Sequence, residues 1–264
     1  MNQIKAIGFD LFNTLITAEP HAVDEALRRL IHSLVESGIA IESDAFSKAH
    51  MEAALRLLEE TKRDGKETHN RFWISAALET QGYDVPPDDP RIAAGVDAYF
   101  SIFLERCHLI PGTREMLRRL CESYCLGLLS NFTHAPAAMG IIDQVDIASF
   151  FDVILISGAV GYRKPHPFIF RRLVDQMGVK KNEVLYVGDD PEADIAGARR
   201  AGIQPVWTTC VQDQNIRAAP SVLSVSSQEV DINVPRFSTW EEFFSLLNDG
   251  YHEANVSRIE PLGA

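Results

Sequence analysis

Two periodicities of apolar residues divide the chain. At the start, Ile4-Lys5-Ala6-Ile7-Gly8 is a short apolar run that predicts a buried central strand. Phe9-Asp10-Leu11-Phe12-Asn13-Thr14-Leu15 follows, with Asp10 where the strand ends and Asn13-Thr14 turning the chain away. Beyond Leu15 the spacing becomes helical. Val23, Leu27, Leu30, Ile31 and Leu34 share one face, and Gly38 is a plausible stop. A second helix runs from Phe46 through Leu58 and ends in the polar stretch 59–65. Phe72, Trp73, Ala76 and Leu78 define a third, closing near Gly82, and Pro86-Pro87-Asp88-Asp89-Pro90 breaks the chain. Ile92, Val96, Tyr99, Phe100 and Phe103 lie on one side of a fourth. Four amphipathic helices with no strand between them predict a small helical bundle.

From Pro111-Gly112 the pattern alternates. Residues 113–123 predict a helix, 125–131 a buried strand, 153–157 the next strand, and 165–177 a helix with Gly178 past its end. Residues 184–189 predict another strand, 191–201 a helix backed by Gly202, and 205–209 a fifth strand. Short apolar strands alternating with helices indicate an α/β fold, a doubly wound parallel sheet covered on both faces. Residues 211–237 are poorly periodic and read as loops with one edge segment. Ser238 with Glu241 forms a capping box ahead of Phe243, Phe244, Leu246 and Leu247, and Gly250 ends that helix. The expected division is a core of residues 1–16 and 106–250, a helical insertion at 17–105, and a tail at 251–264.

Composition narrows the class. A hydrophobic content of 46% over 264 residues and a mean hydropathy of -0.06 describe a globular chain with a full core. No apolar run approaches the ~20 residues of a bilayer span. The N-terminus opens directly into the first strand, without a basic and apolar leader, so a cytoplasmic location is expected. Cys107, Cys121, Cys125 and Cys210 show neither metal-pair spacing nor a disulfide framework. A net charge of -12 and the lack of a Lys/Arg cluster argue against nucleic acid as a partner. No membrane partner is expected either, which leaves a small-molecule substrate.

The chemistry-bearing residues fall at strand ends, where open α/β sheets bind ligands. Asp10 ends the first predicted strand, and Leu128-Leu129-Ser130-Asn131 ends another. Lys164 lies in Gly161-Tyr162-Arg163-Lys164-Pro165-His166-Pro167, just before a helix. Gly188-Asp189-Asp190-Pro191-Glu192-Ala193-Asp194 crowds carboxylates that repel one another, so a cation is expected at their convergence. Mg²⁺, a hard ion commonly bound through a few carboxylates, is the natural candidate. An acidic helix N-terminus is the simpler reading for Glu192, less so for Asp189, which still belongs to the strand.

Asp10-x-x-x-Thr14 and these three segments, in this order, resemble the motifs of the haloacid dehalogenase superfamily of hydrolases. The resemblance implies a Rossmann-like core with an inserted helical cap, and Asp10 as a nucleophile forming a covalent aspartyl intermediate. It implies that Thr14 belongs to the first motif and that the Ser130 hydroxyl and the Asn131 backbone N–H hold a phosphoryl oxygen. Lys164 would keep Asp10 ionised and offset phosphate charge. Asp189 would be a metal ligand, Asp194 a ligand or a support behind the ligands, and Asp190 either; Asp10 and the Phe12 backbone carbonyl complete the expected metal set.

One position departs from the motif: Phe12 stands where a second aspartate normally acts as general acid and base. A missing general acid costs about 10²–10⁴ in rate. The leading expectation is a Mg²⁺-dependent phosphatase of a small phosphorylated metabolite, with water or a cap residue supplying the proton, or with a leaving group that departs unprotonated. A 2-haloacid dehalogenase also carries an aromatic there and works without metal, but lacks the full acidic motif. A phosphonate hydrolase would need a Schiff-base lysine, for which Lys48 is the candidate. A binding protein that has lost turnover is the reading from outside enzymology. His21, Arg28, His69, Arg71 and His134 are conceivable substrate contacts.

Overall fold

A computed structural model describes residues 4–218 and 234–248. Much of the poorly periodic 211–237 stretch, the expected stop at Gly250 and the tail at 251–264 lie outside the described residues. In chain order, the first half comprises β1 (Ala6–Phe9), β2 (Ile16–Ala18), α1 (Ala22–Glu36), α2 (Ser43–Asp64), α3 (Asn70–Glu79), α4 (Pro90–Arg106) and β3 (Cys107–Leu109). Then come α5 (Thr113–Leu120), β4 (Cys125–Ser130), α6 (Ala135–Gln144), β5 (Val153–Ile156), α7 (Ser157–Val160) and α8 (Pro167–Met177). The chain continues through β6 (Val184–Gly188), α9 (Gly197–Ala201), β7 (Gln204–Thr208), α10 (Cys210–Asp213), β8 (Arg236–Phe237) and α11 (Trp240–Asn248).

The main sheet has the order β5-β4-β1-β6-β7-β8, and every neighbouring pair is parallel. From β1 the chain winds outward through β4 and β5, then returns to the other side of β1 through β6, β7 and β8. β1 is therefore the topological switch point, the place where doubly wound sheets open a crevice at their carboxyl ends. Alternate residues feed the two faces. Ile7, Phe9, Leu126, Leu128, Leu185 and Val187 pack into one apolar cluster. Ala6, Leu129, Val184 and Tyr186 join the other, with Phe170, Leu173 and Met177 of α8. Gly8 and Gly127 admit α8 closely, since a Cβ on either would stand 3.0 Å or less from a Leu173 methyl carbon.

The four expected helices are α1 to α4, but they do not stand free of strands. Their entry and exit are β2 and β3, which pair antiparallel with Thr17 opposite His108. The Ile110 and Thr113 side of this ribbon is tied back to the Leu15 carbonyl at 2.9 and 3.2 Å. Three-residue strands carry too few alternating positions to be seen against the helical pattern around them. Arg29 of α1 clamps Glu105 of α4 through two bonds of 2.7 and 2.9 Å. Close packing of α1 on α4 is set at Gly95, where a Cβ would lie 2.8 Å from a Leu30 methyl carbon.

Three further expectations are corrected. The helix expected over 191–201 is split: Pro191–Ala196 forms a π-helical turn before α9. The last capping box is displaced by one residue, because Thr239 rather than Ser238 accepts from the Glu242 N–H, while the Glu242 carboxylate reaches back to the Ser238 N–H. The 165–177 helix starts at Pro167, with the His166 ring accepting from the Phe168 N–H at its start. α6 and α7 were not expected; α6 carries Ala138, Ile141 and Ile142 at helical spacing.

His50 of α2 is buried among Phe46, Trp73 and Tyr99. Burial pushes its imidazole from 6.5 down to about 4. The unfolded chain therefore takes up this proton first as pH falls, and the stability held above pH 6.5 is lost towards pH 4 at about 1.4 kcal/mol per unit. The urea midpoint of the wild type is expected to fall more steeply over this interval than that of His50→Phe; parallel curves would contradict a buried neutral imidazole.

Candidate active site

Asp10 follows β1 directly, and its N–H bonds the Val187 carbonyl of β6 at 2.9 Å. The chain then doubles back in a tight loop. Asn13 takes a left-handed conformation with φ 57, and the Asn13 and Ile16 N–H groups bond the Ile16 and Leu11 carbonyls at 2.7 and 3.0 Å. Among the described residues, no donor reaches the Phe12 carbonyl oxygen, so it remains free to meet a ligand. Thr14 is fully buried, and its hydroxyl has no hydrogen-bond partner.

Lys164 is the centre of the arrangement. Its side chain is 2% exposed, and the ammonium bonds Asp10 Oδ1 at 2.5 Å, Asp194 Oδ1 at 2.7 Å and the Tyr186 hydroxyl at 3.1 Å. Tyr186 in turn donates to the Leu129 carbonyl at 3.1 Å. Burial alone would lower the Lys164 pKa, but Asp10 and Asp194 outweigh it and hold the ammonium charged, well above its ordinary value. Asn131 fixes the lysine's backbone from both sides: its Oδ1 accepts from the Lys164 N–H at 2.7 Å, and its Nδ2 donates to the Lys164 carbonyl at 2.9 Å. The Asn131 amide is thus spent on positioning Lys164. Ser130, at the end of β4, is buried beside it.

Carboxylate oxygens of Asp10, Asp189 and Asp194 lie within 4.8 Å of one another. Burial, then repulsion from Asp10 and Asp194, raises the Asp189 pKa well above the carboxylate range. For Asp194, burial outweighs the Lys164 ammonium and pushes the carboxyl up to about 7. One ammonium cannot neutralise three carboxylates, so the donor set suits a divalent cation bound through hard oxygens. Asp190 is not part of this cluster. Its Oδ1 accepts from the Glu192 and Ala193 N–H groups at 2.9 and 2.8 Å, capping the turn.

The π-helical turn explains how Asp194 reaches the lysine. The Asp194 and Ile195 N–H groups both bond the Asp190 carbonyl, at 3.0 and 3.2 Å, and the widened turn directs the Asp194 carboxylate back over β6. There Asp194 Oδ2 accepts from the Asp190 N–H at 3.0 Å. The Asp194 carboxylate lies against the backbone of Gly188, where a Cβ would collide with it.

Sequence reasoning missed three contributors. Tyr186 reads as an ordinary strand aromatic. Glu67, from the α2–α3 loop, meets the Ser157 hydroxyl and Arg163 Nη1, the latter at 3.1 Å. Around it, the Glu67 N–H bonds the Gly161 carbonyl and the Arg163 N–H bonds the Gly65 carbonyl, at 3.0 and 2.9 Å. The helical insertion is thereby docked on the loop that delivers Lys164; no local pattern marks such a long-range contact. Phe132, just past the strand expected over 125–131, stacks on Phe12 with centroids 5.5 Å apart, a contact that no local pattern marks. Among the residues considered as substrate contacts, His69 and His134 meet edge to face at 5.3 Å. His21, Arg28, Lys48 and Arg71 are largely exposed. Lys48 pairs with Glu52, and Arg71 lies over the Phe72 ring.

A family model of haloacid dehalogenase-like hydrolases matches residues 4–202. The chain belongs to that family of hydrolases. It is 32% identical over 206 residues to a glyceraldehyde 3-phosphate phosphatase of Pyrococcus abyssi, covering 77% of this chain and 81% of that one. It is 30% identical over 206 residues to a ribulose-1,5-bisphosphate 5-phosphatase of Halopiger xanaduensis, covering 76% and 83%. A 2-haloacid dehalogenase from Pseudomonas syringae pv. Tomato DC3000 shares the fold, with a TM-score of 0.65 at 22% identity over 94% of this chain and 99% of that one. No helix among the described residues is long and apolar enough to cross a membrane.

The contact at Gly188 gives a test of the assembly. Gly188→Ala is expected to displace the Asp194 carboxylate from Lys164 and lower turnover about 100-fold, with the far-ultraviolet circular dichroism unchanged. Turnover within a few-fold of wild type would show that the position of Asp194 is not critical.

Proposed function

We propose that the protein is a Mg²⁺-dependent phosphatase that cleaves a small phosphorylated metabolite through an aspartyl phosphate on Asp10. The observation that carries this reading is the Lys164 ammonium held between Asp10 and Asp194 beside a third carboxylate, Asp189. An ammonium there lies against the Asp10 carboxylate and faces the charge that develops on the phosphoryl oxygens. Asp10, Asp189 and Asp194, with the free Phe12 carbonyl, would hold the metal, and Asp190 would act only by shaping the turn. Bound Mg²⁺ would supply charge neutralisation at the phosphoryl group.

The remaining steps belong to the chain. Asp10 attacks phosphorus, and the leaving oxygen takes the bonding pair. Ser130 and the Asn131 backbone N–H, beside Lys164, would orient the phosphoryl oxygens, and the buried Thr14 would pack beneath the loop that carries Asp10. Water then hydrolyses the aspartyl phosphate. Residues 17–105 would be the cap and residues 1–16 with 106–250 the core, with substrate between them. The phosphatases among its relatives support this reaction class, and because their named substrates differ, they leave the metabolite to be read from this chain's own pocket. A cytoplasmic location accompanies this reading.

Phe12 favours one second reading, metal-free dehalogenation, since a halide leaves without a proton. Turnover of p-nitrophenyl phosphate with Mg²⁺, with EDTA, and with Asp10→Asn separates the two. Activity that needs both Mg²⁺ and Asp10 is the expected result; halide release from 2-chloropropionate that persists in EDTA would replace the phosphatase with a dehalogenase. Phe12→Asp is expected to raise turnover of alkyl phosphates, up to about 100-fold, by restoring a proton donor. No gain in a folded variant would count against a missing acid as the limiting factor.

A further inference from the structure

A cavity of about 200 Å³ lies between the helical insertion and the loops that carry Phe12 and Asn131. Its walls include Phe12, Phe132, Phe100, Tyr99, Trp73 and Leu27. Phe12 stacks on Phe132 at 5.5 Å, and Phe132 meets Phe100 at 5.1 Å, so a continuous aromatic wall runs from the Asp10 loop to α4. Among the described residues, no Asp, Glu, Lys or Arg lines the cavity. Most of its polar groups are already engaged: Ser47 bonds the Ser43 carbonyl, Asn13 accepts from Thr17, and Asn131 holds the backbone of Lys164.

The Tyr99 and Thr133 hydroxyls and the His50 imidazole are the remaining polar groups on the wall. His50 is 6% exposed, and its Nε2 is buried without a hydrogen-bond partner. A buried polar atom without a partner costs roughly 1–3 kcal/mol. The imidazole is therefore a polar point on an otherwise largely aromatic wall, with no protein group bonded to it.

We infer that this cavity holds the leaving group of an aryl phosphate, its ring against Phe12, Phe132 and Phe100 and its one polar substituent bonded to the His50 imidazole. The inference rests on the phosphatase reading and deepens it. Size agrees, since an apolar cavity of roughly 150 Å³ admits benzene, and the larger space here takes a substituted or fused ring. Charge agrees, because an ionic leaving group would lose water without meeting an opposite charge on these walls. The chemistry agrees as well. Phe12 supplies wall where a proton donor would stand, and a phenol ionises near pH 10 while water ionises near 15.7, so an aryl oxide departs with little help from an acid.

The step balances without a further reactant. An Asp10 oxygen forms a bond to phosphorus, the bond from phosphorus to the aryl oxygen breaks, and the aryl oxide keeps the electron pair. It takes a proton from water after leaving. A second water then releases inorganic phosphate and restores Asp10.

The whole protein, with Mg²⁺, is assayed on 2-naphthyl phosphate, 6-hydroxy-2-naphthyl phosphate and glyceraldehyde 3-phosphate, and 2-naphthol binding is measured by calorimetry. Because aryl esters are intrinsically more reactive, binding of the alcohol is the independent arm. The expected results are naphthol binding, and kcat/KM for the naphthyl esters at least about tenfold above that for the triose phosphate. His50→Leu is expected to lower the preference for the hydroxylated ester over the plain one about tenfold. Leu27→Trp, which fills the half-buried mouth of the cavity, is expected to weaken naphthol binding and naphthyl ester turnover together. Triose phosphate cleaved as well as the aryl esters, without naphthol binding, would overturn the aryl assignment and leave the phosphatase reading standing. Cleavage of none of the three esters would overturn the phosphatase reading and the leaving-group assignment with it.

Discussion

A single buried ammonium organises this molecule. Lys164 is withdrawn from water, and that withdrawal is tolerable only because Asp10 and Asp194 receive it at 2.5 and 2.7 Å and Tyr186 at 3.1 Å. Removing one partner from such a buried pair typically costs about 3–5 kcal/mol, because a charge is left without compensation. The demand spreads outward. Asn131 must hold the lysine's backbone, the turn after β6 must widen to bring Asp194 round, and position 188 must lack a side chain. Three strand ends and one loop, distant in sequence, are thus committed to one point at the switch of the sheet.

The helical insertion is bound into the same network rather than placed beside it. It hangs from the ribbon of β2 and β3, whose first strand begins six residues after Asp10. At its far side, Glu67 grips Ser157 and Arg163, immediately before Lys164. Movement of the helices would pull on both the Asp10 loop and the lysine loop. The space between these two anchorages is apolar and aromatic, and the low dielectric of such surroundings strengthens the buried Lys164 contacts.

Much of this was legible in the sequence because the signals are local. Buried strands announce themselves as short apolar runs, and Asp10, Ser130, Lys164 and Asp189 follow such runs or sit just before a helix, so both fold and cluster could be read in order. What escaped depended on distance or on weak periodicity. β2 and β3 are three residues each, and their pairing spans the whole insertion. Glu67 is one acidic residue in a polar loop until its partners 90 and 96 positions away are known. Asp190 was grouped with the cluster by composition, yet its carboxylate caps the turn, which spacing alone does not distinguish from ligation.

Phe12 connects the chemistry to the pocket. As a catalytic position it looks like a loss, since a phenyl ring moves no proton. As a wall it is continuous with Phe132 and Phe100, and an aspartate in its place would face that wall with an unpaired charge. The two descriptions are one constraint. A site that binds an apolar ring beside its nucleophile can do without the acid when the ring's own oxygen is a stable anion. A site that takes alkyl alcohols cannot. On the proposed reaction, the residue at position 12 would select against poor leaving groups by withholding the proton, and for apolar ones by supplying contact.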